Sequence, residues 1–145
     1  MSDILQQLTQ KDNSLAYAFL QELVQSSESS DAYYPYFDEY LSLLTDKSAY
    51  RRYRGFAAIC AVAKWDSEGR VRSALPQLLA LLRDEKPSVI RQCLALLPKL
   101  ADDRPELRPA LIAAVEGMDV SGYRDSMQPL LLKDMAAALK ALTLS

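Results

Sequence analysis

Apolar residues recur along this chain at three- and four-residue intervals, the spacing that lines one face of an α-helix. The pattern is clearest over residues 70–101, RVRSALPQLLALLRDEKPSVIRQCLALLPKLA. Val71, Ala74, Leu75, Leu78 and Leu82 make one face, and after a turn at Asp84 to Lys86 a second face follows through Ile90, Cys93, Leu94, Leu97, Leu100 and Ala101. Pro87 stands where a helix opens without needing the missing N–H. Pro98 lies deep within the second helix and removes the donor for the Leu94 carbonyl, which predicts a kink.

The flanking stretches follow the same plan. Residues 2–8 read as a short helix, and Asn13 or Ser14 caps a second one whose face is Leu15, Ala16, Phe19, Leu20 and Leu23. A polar loop, SSESSD, leads into a helix that Pro35 dates to a start at residues 32–34, with Tyr33, Phe37, Tyr40, Leu41 and Leu44 as its stripe. From Phe56 to Ala63 the chain is apolar on every side, the mark of a helix sandwiched between neighbours and the expected centre of the core. Gly55 precedes it at a cost of about 1 kcal/mol in helix propensity, which close approach of an adjacent helix would offset. Beyond DSEG and the 70–101 pair, Pro105 starts a helix that Gly117 stops, and a last helix spans 123–142. Pro129 either kinks that helix or falls in its first turn, if Ser126 is the cap.

Internal repetition sharpens the picture. Aligning LLTDKSAYRRYRGFAAI with LLRDEKPSVIRQCLALL pairs Asp46 with Asp84, 38 positions apart, and Arg54 with Arg91, 37 apart. A weaker third copy places Asp119 35 positions after Asp84, with Arg124 following. Each copy is an apolar helix, a short acidic turn, and a second helix with Arg near its start. Such a hairpin leaves an apolar flank on both sides, so copies are expected to stack.

The helix, Asp turn, Pro-x-Val-Arg, helix order of Leu75 to Leu100, with Asp84, Pro87, Val89 and Arg91, resembles HEAT repeats. The likeness covers about residues 33–142, and residues 2–26 look like a degenerate capping copy. The whole chain, through YYPYF, AVAKWD and RDSMQPL, is also similar to small bacterial HEAT-like proteins of unassigned function. The resemblance implies an all-α, α-α superhelix of about three stacked helical hairpins (32–66, 70–101 and 104–143) with a cap at 1–30, all in a single domain of 1–145.

Composition agrees with a helical globular protein: half of the 145 residues are apolar, a quarter are charged, and only four are Gly. The longest apolar run falls short of the roughly 20 residues of a membrane span. The start, MSDILQQLTQKD, lacks the basic and apolar segments of a secretory signal, so a cytoplasmic protein is expected. Net charge is -2 but unevenly spread, with residues 1–45 at -6 and residues 46–72 at +4. Cys60 and Cys93 sit in apolar helical runs and read as small core hydrophobes.

Chemistry is scarce. With no histidine, Ser-His-Asp and Cys-His sites are impossible and the commonest zinc ligand is missing. No Gly-rich loop precedes a helix, and the pairs Asp38-Glu39 and Asp102-Asp103 read as caps and solvated acids. No enzymatic activity, cofactor or metal is expected. YRRYRGF at 50–56 interleaves guanidinium groups with tyrosines, a composition able to bind phosphate and stack on bases. Arg51, Arg52, Arg54, Lys64, Arg91 and Arg124, all on second helices, are the candidate lining of a binding groove, and Tyr34 and Tyr36 are the aromatic residues left partly exposed. The expected role is a non-catalytic protein-interaction module, a scaffold or adaptor with an acidic peptide or protein as ligand. The alternative is nucleic-acid binding along a basic concave face, as the resemblance to HEAT-like DNA glycosylases implies. No membrane partner is expected.

Overall fold

A computed structural model describes residues 2–144, and every regular element among them is helical: α1 (Asp3–Thr9), α2 (Asn13–Ser27), α3 (Phe37–Leu43), α4 (Ala49–Val62), α5 (Arg70–Ser73), α6 (Leu75–Leu79), α7 (Pro87–Asp103), α8 (Arg108–Glu116) and α9 (Gln128–Thr143). Short 3-10 turns at Tyr34–Tyr36, Ala63–Trp65, Ala80–Arg83 and Pro105–Leu107 sit between them. The all-α expectation holds. The chain forms two compact units that divide between Ala74 and Leu75, inside the stretch that the apolar pattern reads as one hairpin.

The first helix of that hairpin is broken where the pattern predicts continuity. Pro76 is the reason: it offers no N–H to the Arg72 carbonyl and disfavours helical geometry at Leu75. The Ala74 amide turns back to the carbonyls of Arg70 and Arg72, which closes α5 after a single turn.

In the first unit α4 packs closely on α3 and α2. Its residues from Gly55 to Val62 are all buried, as the unbroken apolar run predicts. Gly55 is required by contact: a Cβ there would stand 2.6 Å from the Tyr40 carbonyl oxygen and 2.7 Å from the Leu43 Cβ. The lost helix propensity is therefore offset by a close crossing of α3 over α4. Phe37, Tyr40 and Leu44 of the aromatic stripe are buried, whereas Tyr33 and Leu41 are half-buried. The Tyr40 hydroxyl donates to the Tyr33 carbonyl at 2.6 Å, and burial pushes its ionisation well up from the ordinary range.

Helix C-termini leave carbonyls without intrahelical partners, and here basic side chains supply several. At the end of α1, Arg54 Nη1 donates to the Leu8 carbonyl at 3.0 Å and Arg51 Nη2 to the Thr9 carbonyl at 2.7 Å. At the end of α2, Trp65 Nε1 donates to the Ser27 carbonyl and Lys64 Nζ to the Glu28 carbonyl, each at 2.7 Å. Both ends of the α4 segment are thus pinned to earlier helices, with cations where the helix dipole favours them.

In the second unit α7 packs on α9 and on the Ala80–Arg83 turn, and α8 packs on α9. The predicted face of α7 is buried, from Ile90 through Cys93, Leu94, Leu97 and Leu100 to Ala101. The helix runs on through Pro98 to Asp103. Arg108 Nη1 donates to the Leu142 carbonyl at 2.8 Å, a third helix end closed by a cation. The last helix begins later than its apolar spacing predicts, at Gln128 rather than Tyr123, with Pro129 in its first turn. Residues 123–127 are held as turns instead, partly by the Gln128 side-chain amide donating to the Tyr123 carbonyl at 2.7 Å. Ser126 does not cap the helix, since Met127 occupies that position without a side-chain bond.

The three aspartates aligned by the repeat do the same local work. Asp46 accepts from the Ser48 amide at 2.8 Å, Asp84 from the Lys86 amide at 2.9 Å, and Asp119 from the Ser121 amide at 2.9 Å. Each carboxylate closes a turn on the residue two positions ahead. In the first two cases that residue is the N-cap of the helix that follows.

Candidate functional site

The start of α4 and the turn between α1 and α2 flank an open surface cavity of about 370 Å³, whose lining includes Lys11, Asn13, Asp46, Lys47, Arg51 and Arg54. Local sequence dictates the geometry. Ser48 caps α4 by accepting from the Arg51 amide, and Asp46 orients Ser48 through its amide. One helical turn apart, Arg51 and Arg54 then fall on the same side as the end of α1. Asp12, rather than Asn13 or Ser14, caps α2, which leaves the Asn13 side chain to accept from Arg54 Nη2 at 2.9 Å.

The guanidinium groups are held rigidly. Arg54 is only 5% exposed and spans the Leu8 carbonyl and Asn13. Burial lowers its affinity for a proton, and the adjacent Arg51 charge lowers it further. Arg51 combines its bond to Thr9 with an ion pair to Asp46 at 3.8 Å. Lys11 and Lys47 are exposed at the edge, and neither ammonium pairs with a described residue. Tyr50, 64% exposed, lies with its ring 5.7 Å from the Arg54 guanidinium carbon. Four cations therefore face one carboxylate, and that carboxylate is already engaged by the Ser48 amide.

The remaining candidates are dispersed. Arg52, 8% exposed, points away to the Asp46 and Lys47 carbonyls at 3.0 and 3.1 Å. Lys64 is taken up at the α2 terminus. Arg91 pairs with Asp134 at 2.5 Å, beside a smaller hollow of about 230 Å³ between α7 and α9. Arg124 is exposed on a shallow hollow next to Tyr123, whose hydroxyl donates to the Asp84 carbonyl at 2.7 Å. Tyr34 is not an open docking group: its hydroxyl lies 2.8 Å from Asp66 and 3.0 Å from Glu68, and the Arg70 guanidinium lies over its ring. Burial and those two acids push the Tyr34 phenol up. Tyr36 is half-buried in its 3-10 turn.

Of eight candidates, the structure thus gathers Arg51 and Arg54 into one cavity. Sequence reasoning missed Lys11, Asn13, Lys47 and Tyr50 as their neighbours. The available signal was the pair of turns KDN and TDKS, each placing a lysine beside a helix start.

Comparison of the chain with protein-family models, with curated proteins and with solved structures returns no match in any of the three.

Proposed function

We propose that this chain is a non-catalytic protein-interaction module of the HEAT-like helical-repeat kind, three stacked hairpins and a cap, which takes an acidic segment of a protein partner at the start of α4. The single observation that carries this reading is the cavity in which Lys11, Lys47, Arg51 and Arg54 face Asp46 alone. Prearranged guanidinium groups bind carboxylates at little conformational cost, and two exposed lysines add attraction at the rim. The repeat part of the proposal draws support from the shared turn chemistry of Asp46, Asp84 and Asp119. Three of the six cations that a nucleic-acid reading would place in a groove are engaged away from the α4 cavity, Arg52 and Lys64 by carbonyls and Arg91 by Asp134.

The test is fluorescence anisotropy with a labelled hexaglutamate peptide. The wild-type chain should bind it saturably, and a Lys11→Glu, Lys47→Glu double variant with unchanged melting should bind on the order of tenfold more weakly. Equal affinity of the two proteins, or no binding by the wild type, would remove the proposal. Binding of a DNA oligonucleotide in preference to the peptide would favour the alternative instead.

A further inference from the structure

We infer that the group taken by the α4 cavity is a phosphomonoester dianion, carried on a phosphorylated side chain of the partner. This rests on the reading of that cavity as an acidic-group site and narrows it. A carboxylate is a monoanion that one guanidinium fork satisfies. The cavity instead presents Lys11, Lys47, Arg51 and Arg54 against Asp46, an excess of three positive charges. A phosphomonoester brings nearly two negative charges and three acceptor oxygens at neutral pH. It sets more charge against that excess than a carboxylate can, and it offers three acceptor oxygens to the donors around the cavity.

The arrangement of donors points the same way. Arg54 is fixed by Leu8 and Asn13, and Arg51 by Thr9, so the two guanidinium groups are positioned before any ligand arrives. Burial and the charge of Arg51 both disfavour the Arg54 cation, and an incoming dianion relieves that like-charge contact. Ser48 and Tyr50, in the lining, are the N-cap and a first-turn residue of a 14-residue helix, whose positive end adds to the attraction for phosphate. The opposing charge, Asp46, is retained for the turn it closes with Ser48, and asparagine could make the same bond without the charge.

The absence of histidine makes the ionisation of the ligand directly readable. The charged and titratable groups lining the cavity are Lys11, Lys47, Arg51, Arg54, Tyr50 and Asp46, and none is a histidine, the side chain whose ordinary charge change falls between pH 5 and 8. A phosphate ester passes from dianion to monoanion near pH 6. Sulfate stays a dianion throughout this range.

The experiment is a titration calorimetry series on the full chain with the peptide Gly-Gly-Ser-Gly-Gly, phosphorylated on serine, its glutamate counterpart, and phenyl phosphate. The phosphopeptide should bind at least tenfold tighter than the glutamate peptide at pH 7.5 and lose about fivefold in affinity by pH 5.2. Sulfate should compete at both pH values, and Asp46→Asn should tighten the phosphopeptide about threefold or more. Equal binding of the phosphorylated and glutamate peptides would overturn the dianion inference and leave the acidic-segment reading standing. A pH-independent affinity would overturn it as well, and so would phenyl phosphate binding as tightly as the phosphopeptide, because the partner's main chain would then contribute nothing. If neither peptide binds, both readings fall.

Discussion

The buried guanidinium of Arg54 donates to the main-chain carbonyl of Leu8, 46 positions earlier in the chain. The bond joins the first turn and a half of α4 to the end of α1, and with Arg51 it builds one wall of the α4 cavity. Arg54 therefore serves the fold first and the cavity by consequence. Charge reversal of the whole YRRYRGF cluster would confuse loss of a ligand with loss of structure, since Arg52 also holds two carbonyls of its own turn.

Arg54→Met strips the donors from the Leu8 carbonyl and Asn13 and should cost about 2 to 3 kcal/mol, the range for hydrogen bonds to a charged group and for a buried carbonyl left unpaired. Urea unfolding followed by circular dichroism measures it. Lys47→Ala, at an exposed edge position, should change stability by less than about 0.5 kcal/mol. A reversed order of the two variants would show that Arg54 is not a structural residue.

Gly55→Ala sets two effects against each other. Alanine gains about 1 kcal/mol of helix propensity over glycine, but its Cβ would fall 2.6 Å from the Tyr40 oxygen and 2.7 Å from the Leu43 Cβ. Both obstacles are backbone or next to backbone and cannot swing aside, so overpacking of about 1 to 3 kcal/mol should win. Thermal melting should shift downward, and an upward shift would contradict the close crossing of α3 and α4.

Asp66 gives acid sensitivity of known sign. The residue is 3% exposed, and burial by itself raises its carboxyl. The amides of Val71 and Arg70 and the Tyr34 hydroxyl outweigh burial and hold it below its ordinary value of 3.8. A lowered folded-state value stabilises the fold above the unfolded value, and that contribution is lost as pH falls through the lowered one. Wild-type stability should therefore drop more steeply below about pH 4 than that of Asp66→Asn, whose amide cannot titrate. Parallel pH profiles of the two proteins would show that Asp66 contributes nothing of this kind.

Leu94→Asp places a carboxylate at a position 1% exposed on the core face of α7. The second unit should lose its cooperative melting, because an unpaired buried charge costs several kcal/mol. Unchanged melting would contradict the register of α7.

The helices were legible in the sequence where one face carries the burial. Ile90, Cys93, Leu94, Leu97 and Leu100 fall on a single stripe, and the spacing alone places them inside. Gly55 was legible as well, because glycine in a helix asks for a compensating contact. The break at Ala74 was written in Pro76 but masked by the strong periodicity around it. The late start of α9 was hidden for a similar reason, since apolar residues continue into the turns before it. The roles of Arg51, Arg52 and Arg54 were not legible: an arginine in the first turns of a helix reads the same whether it faces water or the carbonyl end of another helix. Only the place where α1 stops decides between these, and that place lies more than 40 positions away. The lysines of the cavity were hidden likewise, in two turns whose nearness is a product of packing.

The most direct test of the binding site is a heteronuclear NMR titration of the full chain with hexaglutamate. The amides of Lys11, Asn13 and Lys47 to Arg51 should shift together and saturate, and the Lys11→Glu, Lys47→Glu variant should show no such shifts while keeping the rest of its spectrum. Shifts confined to the surroundings of Arg91 or Arg124, or no saturable shift anywhere, would contradict the assignment of the α4 cavity.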